Sequence, residues 1–279
     1  MSRIYRRIAL YLGIFFFVAF SFFPILWMAL NSLKTAAGML EHPLALIPIV
    51  QTPVTLAAYY TVLFDKQFIV MIMNSFIIGF SAAGLSLLIG TLTAYAMSRY
   101  HFRWRRDLAV WILSTRFFPA FATAIPLYFM FVNLGLLNNR FGLALVYAGM
   151  DLPFVVWNMK AFFDEVPFEL DESALLDGCT RIGALFRVAL PLAMAGLVAT
   201  GIFCVIINWN EFAFGLILTS TAVAEPVTVG AGAMMGRRGI EWNGMLAGGV
   251  VAILPVVVFA LIVQKYLVRG LTFGAVKGR

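Results

Sequence analysis

The sequence predicts an all-α integral membrane protein with six transmembrane helices. Three observations predict it. Of 279 residues, 62% are hydrophobic and only 12% are charged. Long apolar runs, with at most one charged residue each, recur six times along the chain. Lys and Arg concentrate in alternate connecting segments. A soluble domain carries about a quarter charged residues and under half apolar ones. A water-soluble fold of this size leaves too much apolar surface uncovered, so lipid must act as its solvent.

The first run, residues 8–30, follows Ser2-Arg3 and Arg6-Arg7. It is too long for a cleavable signal core and has no small-residue cleavage site, so it reads as a retained first helix. The next runs are 68–98, 108–132, 141–159, 192–218 and 243–264. The second exceeds the minimum span, which implies tilt or an interfacial extension. Fourteen Lys and Arg lie in segments 3–7, 99–106, 160–187 and 265–279, against five in the intervening ones. The richer side is cytoplasmic, which places both termini in the cytosol. Residues 1–67 thus comprise the first span and an extracytoplasmic segment. Residues 68–268 form a five-span core, and 269–279 a cytoplasmic tail. In the outer segment, Pro43, Pro48 and Pro53 precede Leu56, Tyr59, Tyr60 and Leu63. Those last four suit a short amphipathic helix at the interface. The Gly-rich stretch 219–241 allows a re-entrant or interfacial piece.

The formal charge of +7 comes from short basic clusters between apolar runs, not from a contiguous basic face, which argues against nucleic acid as a partner. Cys179 and Cys204 form no disulfide framework or metal-ligand spacing, and His42 and His101 are isolated loop residues.

Residues 161–191 are the most acidic stretch, on the cytoplasmic side between spans four and five. Pro167 suits an early helical position. Glu169, Asp171 and Glu172 follow where a helix dipole favours acids, and Arg181 and Arg187 come late, where it favours bases. Phe168, Leu175, Cys179, Ile182 and Phe186 recur as one apolar stripe. Gly178 permits a sharp bend between two short helices. A loop this long has a purpose. Anionic lipid surfaces repel acids, so the acidic face favours a knob for a cytoplasmic partner over a helix resting on the membrane.

This loop resembles the cytoplasmic motif of permease subunits in bacterial binding-protein-dependent ABC importers: Glu-Ala-Ala, three residues, Gly, nine residues, Ile-x-Leu-Pro. The chain reads Glu172-Ser173-Ala174, then Gly178, then Val188-Ala189-Leu190-Pro191 at that spacing. Ser173 and Val188 are the departures, both mild. The carbohydrate branch of that family is resembled more widely: at Thr55-Leu56 and Tyr59; Asn74-Ser75; Ile125-Pro126-Leu127-Tyr128; Leu134-Gly135-Leu136; Trp209-Asn210-Glu211-Phe212; and Arg269-Gly270-Leu271-Thr272 with Gly274 to Gly278.

The resemblance implies a type I ABC importer permease fold in the bacterial inner membrane. It implies a coupling helix at 172–191 docked on an ATP-hydrolysing subunit, with Glu172, Ser173, Ala174, Asp177, Gly178, Leu190 and Pro191 at the contact, and Gly270 and Lys277 adding to it from the tail. It implies alternating access as rigid-body motion. The partners implied are a second permease, two ATPase subunits, an extracytoplasmic solute-binding protein and a carbohydrate. None of the five lysines follows a glycine, so the chain lacks a phosphate loop. No cofactor is expected in it, and ATP is expected on the partner subunits.

Charges at membrane depth are costly and therefore functional candidates. Arg116 lies nine residues past Asp107, and Asp151 nine before Lys160. Along straight helices both reach similar depth, near enough to pair. Two readings stand: an ion pair locking spans three and four, or Arg116 facing the pathway toward an anionic or hydroxyl-rich substrate. Glu211 is expected in the outer half of span five beside Asn208, Trp209 and Asn210, a group with the planar polar and aromatic faces that bind sugars. A helix–helix hydrogen-bond cluster or an outer gate is the competing reading. Asn74 joins the tentative pathway set. Met234-Met235 and Arg237-Arg238 are placed outside, toward the binding protein.

The alternatives are a self-contained secondary transporter, against which no internal repeat is evident, a permease for a non-sugar solute, and a membrane enzyme, for which no nucleophile–base or metal cluster is seen in the spans. The particular sugar is left open.

Overall fold

The computed structural model describes residues 2–41, 53–64, 66–233 and 242–275. Within them the chain is helical: α1 Ser2–Ser32, α2 Ala36–Glu41, α3 Ala57–Phe64, α4 Lys66–Arg99, α5 Arg105–Phe117, α6 Ala120–Asn133, α7 Arg140–Glu165, α8 Phe168–Leu176, α9 Arg181–Leu192, α10 Met194–Asn210, α11 Ala213–Leu218, α12 Val227–Ala233 and α13 Trp242–Ala275. Among the described residues, α1, α4, α7 and α13 are long and apolar enough to cross a membrane. The count is six if each of the bent pairs α5–α6 and α9–α10 makes one span.

The chain divides into two units. The first comprises Met1–Ile69 and Gly230–Leu254. In it, α1 leaves its side chains exposed on every side from Tyr5 to Leu26, as expected of a helix whose solvent is lipid. Its last turn is buried. The Ser32 hydroxyl lies 2.6 Å from the Tyr59 hydroxyl, and the Thr55 amide donates to the Leu33 carbonyl at 2.8 Å. This folds the outer segment back on the end of the span. The expected interfacial helix is α3. It packs through Ala58 and Val62, leaving Leu56, Tyr60 and Leu63 exposed.

The second unit comprises Val70–Val229 and Pro255–Arg279. One core cluster joins α4, α7, α9 and α10 through Tyr95, Met159, Phe163, Leu185 and Cys204. Another joins α4, α6, α7 and α11 through Ile78, Phe131, Leu143, Tyr147 and Phe214. Glycines let these helices approach, as small residues do where lipid offers no hydrophobic drive between helices. A Cβ on Gly196 would lie 2.2 Å from the Phe162 ring, and one on Gly90 2.6 Å from Val155 Cγ1.

Two expected spans are not continuous. The third breaks at Phe118-Pro119 and turns by 93°. Proline disfavours helical backbone in the residue before it, and Phe118 is extended at ψ 126°. The fifth stops at Glu211, whose ψ is 130°, before α11, and an 80° bend at its start sets it off from α9. The final helix runs to Ala275, so the expected tail is helical as far as that residue.

Gly90→Val is expected to force α4 from α7 and to destabilise the fold by about 1–3 kcal/mol. Thermal unfolding in detergent checks this. An unchanged midpoint would mean that the contact is looser than its 2.6 Å implies.

Candidate functional site

The segment between α7 and α10 forms a bent knob. Val166 and Pro167 are both extended, with ψ near 123° and 133°, and they separate α7 from α8. Pro167 occupies the N-cap of α8 rather than its first turn. At the far end of α8 the Cys179 amide donates to the Ala174 carbonyl at 2.9 Å, and the Gly178 amide to the Leu175 carbonyl at 3.1 Å. Gly178 has φ +86°. These two bonds and a left-handed glycine make a Schellman turn, which is the bend that Gly178 predicts. Thr180 then caps α9, accepting from the Gly183 amide at 3.0 Å.

The knob sits in a socket made by the end of α4. Arg99 Nε donates to Asp171 Oδ2, and Nη2 donates to the Val166 carbonyl at 3.0 Å. Both side chains of this ion pair are buried, at 6% and 5% exposure. Ser98 Oγ donates to Asp164 Oδ1 at 2.7 Å, and Lys160 pairs with the same carboxylate. The Arg181 guanidinium lies 4.9 Å from the Tyr100 ring centroid, within cation–π range.

Sequence reading misses this socket. It counts Arg99 only among the orienting bases and Asp171 among the dipole acids. The available signal was that Asp171 and Ala174 are three residues apart and so share a helix face; those two are the buried residues of α8.

The expected apolar stripe is corrected accordingly. The turn at Gly178 interrupts it, and Phe168, Leu175, Ile182 and Phe186 are exposed. Leu175, Leu176 (88% exposed) and Ile182 flank the Gly178 turn and give the knob an apolar tip beside Glu172, Ser173 and Asp177, also exposed. Phe168 stands instead at the socket end, its ring centroid 5.9 Å from the Arg99 guanidinium. Ala174 is buried, Leu190 partly buried and Pro191 exposed. Gly270 lies on α13, and Lys277 lies outside the described residues, as do Met234-Met235, Arg237-Arg238, His42, Pro43 and Pro48.

The intramembrane polar residues fall into separate groups. Asp151 is buried and accepts from Asn208 Nδ2 at 2.8 Å, which also lies 3.3 Å from the Gly79 carbonyl. Arg116 is exposed at the α5–α6 break, 5.4 Å from the Phe154 ring centroid. It shares a cleft of about 680 Å³ with Asp151, but the two form no ion pair within 4 Å. The expected proximity stands, since both line one cleft, but the direct ion pair is corrected: Asn208 bonds the Asp151 carboxylate, and the Arg116 guanidinium lies over the Phe154 ring.

Trp209 is buried, with its ring centroid 4.8 Å from Phe76 and 6.4 Å from Phe259. Asn210 is exposed and bonds back to the Ile206 carbonyl at 2.7 Å. Glu211 lies just past α10, at the break before α11. Its carboxylate accepts from the amides of Phe214 and Gly215 at 3.0 and 3.1 Å, capping α11. Asn74 is buried and donates to the carbonyls of Ala222 and Glu225 at 2.8 and 2.9 Å.

Asn208→Leu strips a buried carboxylate of its donor and is expected to cost about 1–3 kcal/mol. Arg116→Leu removes an exposed group and is expected to stay within about 0.5 kcal/mol. Thermal unfolding of both variants checks this. An equal loss would reinstate a pair between Arg116 and Asp151.

Comparison with known proteins bears on the whole chain. A family model described as "binding-protein-dependent transport system inner membrane component" matches residues 86–273. The trehalose/maltose transport system permease protein MalG of Thermococcus litoralis is 34% identical over 280 residues, covering 99% of each chain. The sulfoquinovosyl glycerol transport system permease protein SmoH of Agrobacterium fabrum is 34% identical over 256 residues, covering 92% of this chain and 89% of the relative. A solved structure of a bacterial ABC transporter involved in import of the acidic polysaccharide alginate matches with a TM-score of 0.77 at 26% identity, over 95% of this chain and 96% of that one. The sequence motif, the helical architecture and these matches agree, and the chain belongs to the family of binding-protein-dependent transport system inner membrane components.

Proposed function

We propose that this chain is the transmembrane permease subunit of an ATP-driven sugar importer. It forms half of a translocation pathway with a second permease, and it couples through residues 164–191 to one of two ATPase subunits. ATP is bound and hydrolysed by those partners, and the chain itself is a passive, non-enzymatic element. A solute-binding protein delivers the sugar from the outer side. The sugar assignment draws on relatives named for trehalose/maltose, trehalose and sulfoquinovosyl glycerol transport.

One observation carries the coupling reading. The knob that bears the Glu172 to Pro191 motif ends in an exposed apolar tip flanked by acids, on the Lys- and Arg-rich side of the chain. Leu176 and Ile182, 88% and 67% exposed, would be stable neither in water nor against an anionic lipid surface that repels the acids beside them. A groove on a cytoplasmic protein satisfies both features, and the Schellman turn fixes the tip's shape before contact.

Two experiments test this. Proteoliposomes holding the permease pair and ATPase subunits are expected to accumulate labelled trehalose or maltose only with ATP on the ATPase side and the binding protein on the other. Uptake driven by an ion gradient without ATP would refute it. Leu176→Asp alters only an exposed side chain, so the permease should keep its thermal midpoint while its co-purification with the ATPase subunit falls at least about tenfold, the equivalent of ~1.4 kcal/mol. Undiminished co-purification would remove the tip from the interface.

A further inference from the structure

We propose that Arg99 is a positioning residue that locks the knob to α4 and α7, so that a displacement at the tip moves both helices as one body. The proposal rests on the permease reading, since it concerns how force received at the knob reaches the spans.

The natural hinge is the extended pair Val166-Pro167 between α7 and α8. Neither residue contributes a helical bond across it, so α8 on its own would swing about that point. The Arg99 guanidinium spans this hinge. One nitrogen bonds the Val166 carbonyl on its near side, and another bonds Asp171 beyond it. A guanidinium holds its donors in a rigid planar fork, which a lysine does not reproduce. The residues on either side of Arg99 extend the grip. Ser98 holds Asp164 just before the hinge, and Tyr100 lies under Arg181 at the start of α9. Three consecutive residues at the end of one span therefore hold the entrance, the first helix and the second helix of the knob.

Stability alone accounts poorly for this pair. Desolvating two charges offsets most of their attraction, and apolar replacements of similar volume are commonly neutral. Asp171 Oδ1 is buried with no hydrogen-bond partner, a further cost. What the pair supplies is fixed geometry between three elements that meet at a hinge.

The test uses the complete transporter in nanodiscs, with Cys179→Ser and Cys204→Ala and spin labels on Glu169→Cys in α8 and Ile89→Cys in α4. Both labelled positions are exposed. In this parent, the interlabel distance is expected to be the same without nucleotide and with MgATP plus vanadate. In Arg99→Met/Asp171→Met, which keeps the socket filled, the complex should assemble with an unchanged thermal midpoint. Its interlabel distance should shift or broaden by about one helical turn, ~5 Å, on nucleotide binding. ATP-driven uptake should fall about tenfold, and Arg99→Lys should lie between the two.

A double variant that matches the parent in distance and uptake overturns the proposal, as does a parent whose interlabel distance already changes with nucleotide. Failure of both Arg99→Lys and the double variant to assemble also overturns it, because the pair is then a folding determinant. Absence of any MgATP hydrolysis by the parent complex overturns the permease reading itself, whatever the distances show.

Discussion

A peptide group released from its helix inside a bilayer has no water to bond, so the protein must satisfy it. The irregular segments of the second unit answer to that constraint. Where α10 stops, Glu211 supplies a carboxylate to the Phe214 and Gly215 amides in the first turn of α11, and Thr228 Oγ1 donates to the Glu211 carbonyl at 2.8 Å. The chain leaving α11 is held by α4: Asn74 donates to two of its carbonyls, and Ser75 Oγ accepts from the Val227 amide at 2.8 Å. Asn208 meets the buried Asp151 carboxylate in the same way. Of the polar groups that look like a substrate site in the sequence, Asn74 and Glu211 bond backbone where helices break, while Arg116 and Asp151 line a cleft.

At the knob the constraint takes another form. The Schellman turn and the Thr180 cap close the backbone at α8 and α9 locally, so the knob's shape needs no partner. Its attachment to the spans is the less local part. That attachment adds charge to the apolar core that holds Leu185 and Ala189: Arg99 pairs with Asp171, and Ser98 bonds Asp164 just before the knob. On the outward side, leucine, isoleucine and phenylalanine are left open. A segment that anchors a buried ion pair on its own protein and leaves large apolar side chains open on the other side is arranged for a contact yet to be made.

The sequence made much of this legible because its strongest signals are local. Apolar run length marked the spans, and the extents of α1, α4 and α13 begin or end within a few residues of those runs, apart from the extension of α13 to Ala275. Gly178 and the motif around it marked the bend. What stayed hidden depends on relations between distant residues. Hydropathy runs straight through Phe118-Pro119, because neither is charged, although the backbone there leaves the helix at Phe118; Pro126 and Pro153, inside helices, show that a proline alone does not mark such a break. The proximity of Arg116 and Asp151 was legible, but the partners each takes instead, the Phe154 ring and Asn208, come from other helices and left no mark in the local pattern. Trp209 beside two asparagines and a glutamate has the composition of a sugar site, but composition carries no direction, and the indole turns inward to Phe76 and Phe259. Arg99 and Asp171 are 72 residues apart, and no local pattern joins them.

The central claim is that the tip of the knob seats on a nucleotide-hydrolysing subunit. A photo-reactive amino acid in place of Leu176, activated in intact membranes that contain the whole transporter, tests it most directly. The account predicts one dominant protein adduct, to the ATPase subunit, lost when that subunit is omitted. Adducts confined to lipid, or to no protein at all while transport proceeds, would contradict it.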